Sequence, residues 1–161
     1  MRRLVLLGIV FAVAMLPGAA SSQKSKSAGV NQKSAYRPGL GELMLLTQAR
    51  HLKLWLAGSA GNWELADYQV DELKEGLEDA GKLVPVYKGM AIGPMIASTV
   101  MSPIEDLEKA IKAKDSTAFE KSFASLTVSC NVCHQSSNRP FIVIQQPRGE
   151  HFPNQNLTKA R

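Results

Sequence analysis

A short cysteine-containing motif, Cys130-Asn131-Val132-Cys133-His134, constrains the fold of this chain more than any other stretch of its sequence. It contains both cysteines of the 161-residue chain. Side chains three positions apart lie on one face of a helix, so the two thiols can reach the two vinyl groups of one porphyrin. The histidine that follows can offer a neutral imidazole to the iron. The motif therefore predicts covalent attachment of one c-type haem, with His134 as axial ligand.

Three other kinds of site contain a Cys-x-x-Cys pair. A thioredoxin-type redox dithiol requires a βαβ context, which this sequence does not predict. A disulfide between Cys130 and Cys133 would close a very short loop and add little stability. A zinc site requires a second pair of ligands, and the other histidines, His51 and His151, are scattered along the sequence. The Cys-x-x-Cys-His motif therefore favours a haem site over these three alternatives.

The first 20 residues have the pattern of a secretory signal peptide. Two arginines precede an apolar run over residues 4–16, and Pro17 is followed by small residues that suit cleavage after Ala20 or Ser22. An uncleaved anchor is the alternative, although the run is short for a membrane-spanning helix. Because c-type haem is attached outside the cytoplasm, export to a bacterial periplasm agrees with the motif.

The charge balance does not indicate a nucleic-acid partner. The formal charge is +5, and 17 basic residues remain against 14 acidic ones once the two arginines of the signal are removed. Three lysines of this mild excess lie in residues 21–38, a polar stretch typical of a flexible lead-in. No basic stripe interleaves with aromatic residues, so we expect no nucleic acid to bind.

Apolar periodicity over residues 39–136 predicts an all-α domain with four amphipathic helices. The first helix is expected over residues 40–57, before a Gly-Ser-Ala-Gly stretch. The second is expected to begin at an Asn62 N-cap and to end at Gly81. The second helix has a charged face, which we interpret as solvated surface. Its opposite face is a packing seam made of Ala66, Val70, Leu73, Leu77 and Ala80.

Two further helices are predicted after residues 82–101, a stretch that prolines and glycines interrupt and that is irregular or contains a short helix from Pro94. Ser102 is expected to cap the third helix, with Pro103 in its first helical position. The fourth is expected to start near Asp115 or Ser116 and to carry the haem motif on its buried seam, where a bundle interior places a cofactor. That seam consists of Phe119, Phe123, Leu126, Cys130 and Cys133.

Residues 137–161 form a predicted C-terminal extension. Pro140 stops helical continuation, and residues 141–144 form a short apolar run typical of a strand. We expect this irregular tail to pack back on the bundle, either as a cover for the core or as a lid over one edge of the haem.

The export signal, the four amphipathic helices and the haem motif late in the last helix resemble the four-helix-bundle cytochromes c of the cytochrome c′ and c-556 type. The resemblance implies a four-helix bundle with the haem at the end of its last helix, held through Cys130, Cys133 and His134. Residues 139–161 extend beyond the usual end of that family. Residues 48–55 look like a less characterised group of small periplasmic haem proteins.

The sequence leaves the sixth iron ligand open. Met44 and His51 lie on one stripe of the first helix, about 10 Å apart, so both cannot bind one iron. The resemblance implies that a methionine of the first helix can bind, whereas His51 would give bis-histidine ligation. A third alternative is a five-coordinate iron that takes nitric oxide or carbon monoxide, as cytochrome c′ proteins do. Arg50 and Lys53 are candidate partners of the haem propionates. Four other residues are less favoured ligands: Met90, Met95, Met101 and His151.

These features predict an electron-transfer protein rather than an enzyme, with a gas-binding haem protein as the alternative. No paired carboxylates or nucleophile–histidine pairing is apparent in the sequence. A peroxide-reactive haem enzyme would need His51 as its acid–base group. The expected partners are a periplasmic or membrane-bound redox protein and, through the resemblance, a second copy of the chain in a homodimer.

Overall fold

Five α-helices and one β-hairpin form residues 36–148, the part of the chain that the computed structural model describes. The all-α class predicted from the sequence is confirmed. The predicted signal peptide, most of the lead-in and residues 149–161, with His151, lie outside the described residues. In chain order the elements are α1 (Leu40–Ser59), α2 (Trp63–Leu83), β1 (Val86–Tyr87), β2 (Met90–Ala91), α3 (Ile92–Thr99), α4 (Met101–Ala113) and α5 (Ser116–Ser136).

Local sequence signals fix the ends of several helices. α1 ends in a Schellman motif in which Gly61 takes a left-handed φ of 70°. The Asn62 side chain caps α2 by accepting a hydrogen bond from the N–H of Leu65 at 3.3 Å. Asp115 caps α5 through the N–H of Ala118 at 3.0 Å. The Asn62 cap is the predicted one, and α5 starts at Ser116, within the predicted start near Asp115 or Ser116.

Gly81 does not end α2, as the sequence predicted, because the helix continues to Leu83. The glycine lies instead against α3. A Cβ atom on Gly81 would stand 2.8 Å from the Cα of Gly93. The absence of a side chain therefore allows two backbones to approach closely.

The stretch that the sequence left open, residues 82–101, contains the hairpin and α3. β1 and β2 pair antiparallel across Lys88 and Gly89, whose φ values of 50° and 84° suit a type I′ turn. α3 begins at Ile92 rather than at Pro94. No sequence pattern predicted the hairpin.

The predicted start of α4 is wrong. Ser102 does not cap the helix, since Val100 occupies the N-cap position and no side chain caps there. Pro103 lies in the first turn of the helix instead of at its first position. A proline is tolerated there because the first four N–H groups have no partner within the helix.

The core is built from the predicted seam of α2, from the predicted seam of α5 as far as Leu126, and from Leu43, Leu54 and Ala57 of α1, whereas Cys130 and Cys133 are only partly buried. Every residue of the predicted α2 seam is buried. From the second half of the chain, the fully buried side chains are Ile104 and Leu107 of α4 with Phe119, Phe123 and Leu126 of α5. No helix within residues 36–148 is long and apolar enough to cross a membrane.

α1 and α5 run antiparallel, because rising residue numbers in α1 meet falling numbers in α5. His51 contacts Thr127 and Phe123, and the Trp55 ring lies against both Phe123 and Phe119. The N-terminal half of α1 therefore points toward the end of α5 that carries the cysteines.

Candidate cofactor-binding cavity

A mainly apolar cavity of about 360 Å³ lies between the N-terminal half of α1 and the C-terminal end of α5. α3 contributes Met95 and Ile96 to a further wall, and the hairpin contributes Tyr87 and Met90. The volume falls in the range of roughly 300–1,000 Å³ that is usual for small-molecule and cofactor sites. This part of the fold has the size and the lining of a cofactor pocket.

Cys130, Cys133 and His134 all line this cavity. α5 places the two thiols one helical turn apart, continuing the seam that Phe123 and Leu126 form deeper in the core. Both cysteines are free thiols. The helix thus presents both cysteines and His134 to one apolar space.

The environment of the thiols differs from that of a redox dithiol. Burial, with a smaller effect of the neighbouring Cys133, raises the pKa of Cys130 to about 11. Burial also raises the pKa of Cys133. A reactive dithiol shows a lowered pKa, since the thiolate is the nucleophile. Within residues 36–148, no group of three or more His, Cys, Asp or Glu side chains could hold a metal ion, so no second pair of zinc ligands is found there.

His134 is oriented by the chain that follows α5. Its Nδ1 atom lies 2.9 Å from the carbonyl oxygen of Ile142. A carbonyl can only accept a hydrogen bond, so Nδ1 carries the proton and donates it. A proton on Nδ1 leaves Nε2 as the ring nitrogen that could offer a lone pair to a metal.

The chain beyond α5 folds back along the last turns of the helix. Asn138 takes a left-handed φ of 57°, and the N–H of Arg139 donates to the carbonyl of His134 at 2.8 Å, which completes a Schellman motif. The side chains of Ile142 and Ile144 then line the cavity. Residues 141–144 have no strand partner, so the predicted strand-like run is a loop.

His51 lines the cavity, but its Nε2 atom faces the core. That atom lies 2.9 Å from Thr127 Oγ1, and the ring packs against Phe123. The Thr127 hydroxyl donates to the carbonyl of Phe123, so His51 Nε2 is the donor in its own hydrogen bond. Burial lowers the pKa of His51 to about 4, so the ring is neutral at pH 7. His51 Nε2 therefore carries a proton and donates it to Thr127, so this nitrogen has no free lone pair.

Met44 lines the cavity as a half-buried side chain. It precedes His51 by seven residues, and His134 follows Thr127 by seven. In antiparallel helices both steps move about 10 Å toward the same end, at ~1.5 Å per residue. Met44 therefore lies at the level of His134 along the helix pair.

Arg139 is the one permanently charged side chain among the described residues that line the cavity. Its guanidinium lies 5.8 Å from the centre of the Tyr87 ring and lowers the pKa of Tyr87, chiefly through a hydrogen bond. Arg50 and Lys53, the predicted partners of haem propionates, do not line the cavity. Arg50 is paired with Glu72 of α2 at 3.0 Å instead.

The less favoured candidates for the sixth iron ligand lie partly in the cavity and partly outside it. Met90 and Met95 line the cavity, whereas Met101 lies against the core outside it. Three residues of the site, Arg139, Ile142 and Asn131, were not predicted from the sequence. Arg139 follows the helix without a pattern of its own, Ile142 contributes a carbonyl, and Asn131 occupies a variable position of the motif.

No protein-family model matches the chain, and comparisons with curated proteins and with solved structures find no match either.

Proposed function

We propose that this protein is an exported c-type cytochrome that carries one covalent haem and transfers electrons. The observation that supports this most is that both cysteines and His134 line one apolar cavity of cofactor size. In this proposal the four long helices, α1, α2, α4 and α5, are the haem-bearing bundle, and α3 is an additional wall. Export to the periplasm rests on the sequence pattern of residues 1–20.

Each residue of the site has a defined part in this proposal. Cys130 and Cys133 hold the haem through thioethers, and His134 Nε2 is the axial ligand. When bound, haem supplies an iron that alternates between the ferric and ferrous states. The apolar walls exclude water from it, and Arg139 offers a positive charge to a haem carboxylate.

Met44 is the sixth ligand that the contacts favour over His51. His51 Nε2 already donates to Thr127, whereas the Met44 thioether lies at the level of His134. A thioether ligand raises the reduction potential of a haem, which suits an electron carrier. The expected partners remain a periplasmic or membrane-bound redox protein and a second copy of the chain.

A gas-binding haem protein is the second proposal. The observation that favours it is the largely aliphatic lining of the cavity, which includes Leu40, Leu45, Ile96 and Val100. If Met44 and the other potential ligands of the cavity stay off the iron, a small apolar gas can bind there.

The first test is the mass of the mature protein after coexpression with a haem-attachment system. We expect one covalent haem on the wild type and none on a Cys130→Ala/Cys133→Ala double variant. Val132→Ala is the matched control, because Val132 lies inside the motif, is 45% exposed and has no assigned role. Covalent haem on the double variant, or its absence from the wild type, contradicts the proposal.

Absorption spectra of the loaded protein then separate the two functions. A low-spin spectrum that carbon monoxide does not change indicates an occupied sixth site and favours electron transfer. We expect Met44→Ala to convert it to a high-spin spectrum that shifts with carbon monoxide, whereas Met90→Ala does not. A wild-type spectrum that already shifts with carbon monoxide favours gas binding.

A further inference from the structure

We propose that Asn131 is a positioning residue, which docks residues 139–144 against α5 and thereby fixes the orientation and tautomer of His134. The inference rests on the proposed haem function. It assigns a role to a position of the Cys-x-x-Cys-His motif that the attachment chemistry itself leaves free.

The Asn131 amide forms a two-way connection to the returning chain. Its Nδ2 donates to the carbonyl of Ile144 at 2.8 Å, and its Oδ1 accepts from the N–H of Ile144 at 2.7 Å. The same Nδ2 also donates to the carbonyl of Thr127 at 3.1 Å, which anchors the side chain on its own helix. A primary amide supplies both the donors and the acceptor that this arrangement needs.

The path of the chain places the anchor next to the histidine. The Schellman motif reverses the chain after α5, and a turn through Pro140 follows, in which the N–H of Ile142 donates to the carbonyl of Arg139 at 3.0 Å. The chain then runs back along α5, so that residue 142 meets residue 134 and residue 144 meets residue 131. Asn131 holds the far end of this segment, and the carbonyl of Ile142 is thereby kept beside His134 Nδ1.

The hydrogen bond between His134 Nδ1 and the carbonyl of Ile142 would act on a bound iron through the imidazole ring. A carbonyl that accepts from Nδ1–H fixes the ring orientation and makes Nε2 a stronger electron donor to a bound metal. A stronger donor favours the ferric state, so the contact lowers the reduction potential. Release of the segment from Asn131 therefore raises the potential and exposes the Nδ1–H to solvent.

The experiment compares Asn131→Ala with Val132→Ala, both loaded with covalent haem. We expect the midpoint potential of Asn131→Ala to rise and that of Val132→Ala to equal the wild-type value. Exchange of the His134 ring N–H with deuterium, followed by NMR on the low-spin ferrous protein, is expected to be at least about tenfold faster in Asn131→Ala. A role confined to stability could also speed the exchange by easing unfolding, but it would leave the midpoint potential unchanged.

A second variant approaches the same contact from the other side. Ile144→Pro removes the N–H that donates to Asn131 Oδ1, so we expect it to raise the midpoint potential as well. This variant keeps Asn131, and it therefore tests the contact even if Asn131→Ala does not load haem. Loaded variants whose potential and exchange rate match those of Val132→Ala overturn the inference and leave the haem function intact. A wild type without covalent haem overturns the proposed function itself.

Discussion

The two ends of the α1–α5 pair are built differently although both follow the same apolar periodicity. At one end, Trp55 packs against Phe119 and Phe123, with ring centres 6.1 and 5.0 Å apart, and both phenylalanines are fully buried. At the other end, Met44 and Cys130 line the cavity. We refer to these as the packed end and the hollow end.

Side-chain size accounts for the difference. Aromatic rings fill the space between the helices at the packed end, whereas short thiols and an unbranched thioether do not at the hollow end. Side chains that line a cleft make fewer of the contacts that stabilise a packed core. The hollow end is therefore expected to contribute little to stability by itself and to gain it when a group fills the space.

The largest effect separating the two ends is expected for truncation of a buried ring. Phe119→Ala removes a fully buried side chain and should lower the free energy of unfolding by about 3–5 kcal/mol. Met44→Ala at the hollow end should cost well under about 2 kcal/mol, since the side chain already borders a cavity. Urea unfolding of both variants measures this, and equal losses would contradict the distinction.

A smaller effect is expected from filling space at the packed end. A Cβ atom on Gly58 would stand 2.1 Å from Cζ of Phe119, so Gly58→Ala must displace a buried ring. We expect a loss of about 1–3 kcal/mol. Gly41→Ala in the first turn of α1 is the control, because nothing lies within 4 Å of the added carbon. That substitution should be neutral or stabilising by up to about 1 kcal/mol, as alanine favours a helix.

The last effect is a loss of stability as the pH falls. It depends on His51, which lies between the two ends. Its pKa is lowered to about 4 in the fold by burial, from the ordinary value of 6.5. The unfolded chain therefore takes up the proton first as the pH falls through this window, and stability decreases. Between pH 7 and 4.5 the free energy of unfolding should fall by about 2 kcal/mol more in the wild type than in His51→Gln. Equal decreases in urea titrations at the two pH values would show that His51 is not buried as described.

Local patterns were sufficient for most of the fold. The seams of α2 and α5 follow from apolar spacing, and the Asn62 and Asp115 caps follow from side chains that bond within their own turn. The close approach of Gly81 and Gly93 was missed, because a sequence does not show which helices come near each other. The hairpin was missed because its Lys88-Gly89 turn lacks the usual Asn-Gly signal.

The candidate site also has parts that local sequence predicts and parts that it does not. The motif and its helical face were evident from the sequence, since they depend on five consecutive residues. The partners of its histidines were not, because His51 meets Thr127 across 76 residues and His134 meets a backbone carbonyl that any residue type could supply. Long-range contacts of this kind leave no local pattern.

The position of residues 139–144 after the motif also has a consequence for biosynthesis. A chain made from its N-terminus presents Cys130 and Cys133 before residues 139–144, which dock against the end of α5, have been made. In the finished fold, burial raises the pKa of the Cys130 thiol to about 11, so little of it is the nucleophilic thiolate at neutral pH. We therefore expect a reagent that needs the thiolate to react faster with the unfolded chain than with the folded protein.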